Sequence, residues 1–165
     1  MKKHKKLVSI LPGLAIFVFF ALAPLAQAGD AIVVIVNAAN PVENLTVGEL
    51  KKLFLSDRSK WDTGKSVAPV MVTAGAPERT SFLKIVCGLN DADFSKYFLQ
   101  AAFTGKSATP PKEVGSAAAV KSVVGNSPGA IGFVRAGDVS GSDTTVKVVK
   151  VDGASATDAG YKLKM

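Results

Sequence analysis

Arg79, Thr80 and Ser81 are the adjacent residues of this chain best suited to chemistry. They follow an apolar run at 67–73 and the turn Ala74-Gly75-Ala76-Pro77, and Pro77 suits the first position of a helix. The free N–H groups of a helix's first turn favour negative charge. One guanidinium and two hydroxyls at that place would cradle a small anion. The competing reading is ordinary helix-start chemistry, with Arg79 paired to a nearby carboxylate.

Other suggestive spacings fail on inspection. Gly64-Lys65-Ser66 and Gly105-Lys106-Ser107 resemble the end of a phosphate-binding loop, but that loop needs a glycine where Ser59 and Gln100 stand. Ser81-Phe82-Leu83-Lys84 fits Ser-x-x-Lys without the partner motifs Ser-Asp-Asn and Lys-Thr-Gly. Asp91 and Asp93 lack the rest of a calcium loop and read as cap and first-turn residues of a helix. The only histidine is His4, near the N-terminus. The remainder of the chain therefore has no histidine for triad catalysis, zinc ligation or proton transfer. A non-enzyme is expected, with no metal and no cofactor. The only cysteine, Cys87, lies in the apolar stretch Phe82-Leu83-Lys84-Ile85-Val86-Cys87 and reads as a buried structural thiol.

The elements that must position these residues begin after residue 28. Lys2, Lys3, Lys5 and Lys6 precede an apolar run at 7–25, and Ala26-Gln27-Ala28 supplies a small-x-small site. Residues 1–28 thus read as a secretory signal, with cleavage before Gly29. Pro12, Gly13 and Pro24 interrupt the run, which argues against a retained anchor. The mature chain keeps 16 of the 20 basic residues against 13 acidic ones, a balance of +3. That excess suits a small anionic ligand and falls short of a nucleic-acid stripe.

Residues 31–36 are a continuous β-branched run, read as a fully buried strand of the kind found in parallel sheets. Thr46-Val47-Gly48-Glu49 is a capping box before a helix carrying Leu50, Leu53 and Phe54. Further elements follow in alternation. These are a strand at 67–73, a helix from Pro77 to about Cys87 stopped by Gly88, and a helix from Asn90 and Asp91. A basic loop at 105–115, a helix after Ser116, and strands at 130–134 and 145–151 complete the series. Strands alternating with helices predict an α/β domain over 29–152, with a polar C-terminal tail at 153–165 expected to fray.

Three blocks carry a family resemblance. The first is Val36-Asn37-Ala38-Ala39-Asn40-Pro41-Val42 with Leu45-Thr46, Glu49-Leu50, Leu53-Phe54-Leu55 and Trp61. The others are Ala102-Phe103-Thr104-Gly105 with Pro110-Pro111, and Pro128-Gly129-Ala130-Ile131-Gly132-Phe133. Together, over about residues 32–134, they resemble phosphate-type periplasmic substrate-binding proteins of ABC transporters. They resemble more closely the short, single-lobe exported proteins of that superfamily.

The resemblance implies one periplasmic-binding-protein-like α/β lobe, a central mixed sheet flanked by helices. It implies a periplasmic module holding a small anion, phosphate first, for ABC-type uptake or sensing. Arg79, Thr80 and Ser81 would bind it, with Asn37 of the 37–40 loop and Lys106 and Lys112 of the 105–112 loop at the rim. The aligned stretch departs from the family's Arg-x-Asp-x-Ser-Gly-Thr loop: Ala74, Ala76, Glu78 and Arg79 replace its Arg, Asp, Ser and Gly, and Thr80 is retained. Expected partners are the anion and an ABC permease or other envelope protein, with no nucleic acid and no membrane anchor after cleavage. The alternative is an interaction domain that has lost its solute and docks on an exported or membrane partner.

Overall fold

The computed structural model describes residues 31–165. The expected signal at 1–28 lies outside the described residues. The described chain forms one α/β lobe. Its order is β1 (Ile32–Asn37), β2 (Asn44–Leu45), α1 (Val47–Phe54), β3 (Ala68–Val72), α2 (Pro77–Phe82), a π-helical turn (Leu83–Cys87) and α3 (Asp91–Phe103). After these come β4 (Lys112–Val114), α4 (Ala117–Asn126), β5 (Ala130–Arg135), a 3-10 turn (Ala136–Asp138) and β6 (Val146–Val151).

The six strands form one mixed sheet in the order β2-β6-β1-β5-β3-β4. β3 is parallel to both β4 and β5. β1 runs antiparallel to both its neighbours, β5 and β6. The burial expected of residues 31–36 is present, since every residue of β1 is buried. The parallel setting is not. A continuous apolar run reports cover on both faces, and that cover exists here whatever the strand direction.

Alternate side chains of β1 feed two cores. Ile32, Val34 and Val36 join α1, α2, the π turn and α3 on one face, whereas Val33 and Ile35 join α4 on the other. Phe82 stacks on Phe133 at 3.9 Å and meets Phe54 edge-on at 4.7 Å, so α2 is bolted to the sheet and to α1. On the second face Gly132 lets Val120 and Val124 of α4 approach the sheet, for a Cβ there would come within 2.7 Å of Val120 Cγ1.

Helix starts follow their caps. Thr46 and Glu49 form the expected capping box, Asn90 accepts from Asp93 N, and Ser116 accepts from Ala119 N. Gly88 ends the π turn at φ 72°, where its N–H reaches Leu83 O. Cys87 is buried, and burial pushes its thiol pKa up to about 11. The C-terminal segment does not fray as expected. Tyr161 and Leu163 are buried, Tyr161 Oη donates to Ile32 O at 2.7 Å, and Ile32 N donates to Leu163 O at 2.8 Å. Two apolar residues in a polar tail are enough to pin it against β1.

Candidate functional site

The parallel strands β3, β4 and β5 all end on the same side of the sheet, at Val72, Val114 and Arg135. Solutes of α/β sheets bind beyond such carboxyl ends. α2 begins there, with Ala76 as its N-cap and no side chain bonded to its first N–H groups.

Arg79 does not point into that space. It is 1% exposed. Its Nε donates to Asp91 Oδ1 at 2.5 Å, and its Nη1 donates to Glu113 Oε1 at 2.7 Å and Val72 O at 2.8 Å. Its guanidinium carbon also lies 5.9 Å from the centre of the Phe94 ring. A single buried cation thus ties β3, β4 and the first turn of α3 together. The role expected for it in an anion cradle gives way to the competing reading, pairing with carboxylates.

Glu78 is also buried, and its Oε2 accepts from Arg135 Nη2 at 2.8 Å and Nε at 3.1 Å. This pair holds the end of β5 to the start of α2. Across the exit end, two guanidiniums face three carboxylates, an unfavourable balance for another anion. Thr80 is exposed and Ser81 half-buried at this end. Neither side chain has a hydrogen-bond partner among the described residues.

The other predicted residues lie elsewhere. Asn37 closes β1 beside the first residue of β6, at the entry end of the parallel strands. Its amide donates to Val124 O at 3.0 Å and Gly125 O at 2.8 Å, and its Oδ1 accepts from Ala39 N at 3.0 Å. The two amide bonds fasten β1 to the end of α4, and the third shapes the turn that follows β1. Lys106 lies in the segment that leads into the start of β4, at that same entry end. The sequence-predicted set is therefore split between opposite ends of the sheet. Asn37 is at the entry end because the antiparallel β1 ends where its neighbours begin, and Lys106 because it precedes β4.

Lys106 Nζ donates to Asp57 Oδ1 at 2.6 Å and to Tyr97 Oη at 2.7 Å. The Asp57 and Tyr97 bonds push its ammonium pKa up to about 12, and the Lys106 bond holds the Asp57 carboxyl below its ordinary value. This clamp joins α3 to the loops at 55–60 and 104–111. Ser56 Oγ donates to Thr109 O and joins the two loops again.

Beside the clamp is a cleft of about 400 Å³. Arg58, Lys60 and Lys112 line it with Ser56, Ser59, Ser66, Ser107 and Thr109, over Leu53, Val67, Ala68, Pro69 and Pro110. No carboxylate lines it. Arg58 is drawn toward Asp62 at 2.6 Å, but Lys60 and Lys112 make no ion pair among the described residues. Lys60 escaped the sequence reading because it stands in a polar loop with no motif around it.

The PBP superfamily domain model matches residues 24–165, most of the chain. The chain belongs to this family. Among solved structures, the PBP lobe is similar to a candidate phosphate ABC transporter substrate-binding protein of Clostridium perfringens with bound phosphate. That likeness has a TM-score of 0.62 and 25% identity over 77% of this chain and 47% of that one. An ABC-type phosphate transport receptor from Vibrio cholerae gives 0.61 and 24%, over 77% and 48%. A phosphate-binding protein from Stenotrophomonas maltophilia gives 0.55 and 14%, over 77% and 40%, and these last two likenesses show the fold alone. The chain spans about half the length of the structures it matches or less. Among the described residues, no cluster of His, Cys, Asp and Glu could hold a metal, and no helix is long and apolar enough to cross a membrane.

Proposed function

We propose that this lobe is a non-catalytic solute-binding module. It is exported by the signal at 1–28, works in the periplasm, and holds a small anion for ABC-type uptake or sensing. Phosphate is the first candidate. The observation that carries the reading is the likeness, at 25% identity over 77% of the chain, to a substrate-binding protein with bound phosphate. The cation-lined, carboxylate-free cleft supports it. One open lobe excludes less water than two closed ones, so affinity is weak unless a partner covers the solute. Isothermal titration of the purified protein with phosphate, sulfate and a panel of carboxylates at low ionic strength tests it. Saturable heat supports the module, and no heat from folded protein refutes it. Export is tested by fractionation, which should recover a chain shortened at Ala28 from the periplasm.

A second reading, an interaction domain for an envelope protein, is favoured by one observation. Leu99 and Phe103 lie one turn apart on α3 and are 59% and 83% exposed. Capture of an envelope partner that Phe103→Ser abolishes, with no anion heat, would favour it over the first.

A further inference from the structure

We propose that the solute sits in the entry-end cleft, not at the start of α2, and that it is an organic anion carrying an apolar body. This rests on the solute-binding reading above and adds the place and the ligand class.

The two ends of the sheet differ in which charges they leave unpaired among the described residues. At the exit end Arg79 and Arg135 already serve Glu78, Asp91 and Glu113. An anion placed there meets a surplus of carboxylate. At the entry end Lys60 and Lys112 line the cleft without an ion pair among the described residues. The hydroxyls of Ser59, Ser66, Ser107 and Thr109 also line it, and none has a hydrogen-bond partner among the described residues. These residues are exposed to water, and an arriving anion exchanges that water for charge-assisted bonds.

The shape selects further. β4 begins opposite Val70, where Lys112 pairs with it, so residues 67–69 have no strand beside them on that flank. That gap is the floor of the cleft. Val67 and Ala68 spend their N–H groups on Ser59 O and Gly129 O, and Pro69 has none. The floor thus presents apolar surface from Val67, Ala68, Pro69 and Pro110 over buried Leu53, with few backbone donors. A volume of about 400 Å³ lies in the ~300–1,000 Å³ range of small-molecule sites. An apolar floor under a cationic rim fits an acid group joined to a ring or short chain better than a bare inorganic ion. The Ser56–Thr109 hydrogen bond and the Lys106 clamp join the walls.

The test is titration with phenyl phosphate, benzoate, inorganic phosphate and benzyl alcohol, on the native protein, Lys60→Gln/Lys112→Gln and Thr80→Ala/Ser81→Ala. The proposal expects phenyl phosphate to bind more tightly than inorganic phosphate and benzyl alcohol not to bind. The double lysine variant should lose about tenfold or more, since a hydrogen bond to a charged group is worth about that. The Thr80/Ser81 variant should bind as the native protein does. Binding lost in the Thr80/Ser81 variant and kept in the lysine variant would overturn the cleft and leave the solute-binding reading standing. Inorganic phosphate binding as tightly as phenyl phosphate would overturn the ligand class. No heat from any probe would overturn both readings. Unchanged circular dichroism in each variant keeps a folding defect from passing for a lost site.

Discussion

Arg79 donates its Nε to Asp91 at 2.5 Å, so a cation one turn into α2 is locked to the first residue of α3. With Glu113 on its Nη1, it holds three elements at the exit end of the sheet. Removing one member of an ion pair costs about 3–5 kcal/mol where the partner stays buried and unmatched. Asp91 and Glu113 are partly exposed, which puts the expected loss at the lower end. Arg79→Ala should therefore lower the urea midpoint strongly. An unchanged midpoint would show that the buried pairing contributes nothing.

Gly129 is packed against backbone on its open side. A Cβ on Gly129 would lie 2.1 Å from Ser66 O, and Gly129 O accepts from Trp61 Nε1 at 2.9 Å and Ala68 N at 3.0 Å. Backbone cannot yield there as a side chain can. Gly129→Ala is expected to cost about 1–3 kcal/mol or more, read in the same denaturation. It should also disturb the entry-end cleft, whose floor starts at Ser66 and Val67.

The C-terminal segment should prove part of the lobe. Tyr161→Phe removes the bond to Ile32 O and is expected to cost about 1 kcal/mol. Deleting residues 161–165 also exposes the Leu163 site and should cost more. Thermal melting of the two variants checks the order.

Burial raises the Cys87 thiol to about 11 and the Tyr161 hydroxyl to about 12, from ordinary values of 9.0 and 10.0. Raised values mean that the folded state holds these protons more tightly. The stabilisation is complete below about pH 9 and fades as pH rises through the two folded values. Urea midpoints should fall above about pH 9, less steeply in Cys87→Ala. Native Cys87 should also react with a thiol reagent only at the rate of opening, so fast labelling of folded protein would contradict its burial.

Much of the lobe was legible from residue types. Thr46 with Glu49, Asn90 with Asp93, and Gly88 signalled their helix ends through local bonds that the sequence spells out. Burial of β1 was legible for the same reason: every one of its residues is apolar up to Asn37. Its direction was not, because an apolar run is the same read either way. That ambiguity moved Asn37 away from the rest of the candidate site, whereas Lys106 lies at the entry end because its segment leads into β4. The resemblance put Asn37 at the rim of the Arg79 site, and in the antiparallel sheet it falls at the far end. The role of Arg79 was hidden differently. Its partners Asp91 and Glu113 lie 12 and 34 residues away, and only the fold brings them to it. The three-residue strand β4 carries Glu113 and lay inside an expected loop, too short and too charged to show a strand pattern.

Anion binding by this lobe is read out by titration of the purified protein at low ionic strength. The expected result is saturable heat with phosphate or phenyl phosphate that weakens as salt is added and persists in a folded Thr80→Ala/Ser81→Ala variant. A flat titration for every anion, from protein shown to be folded, would contradict it.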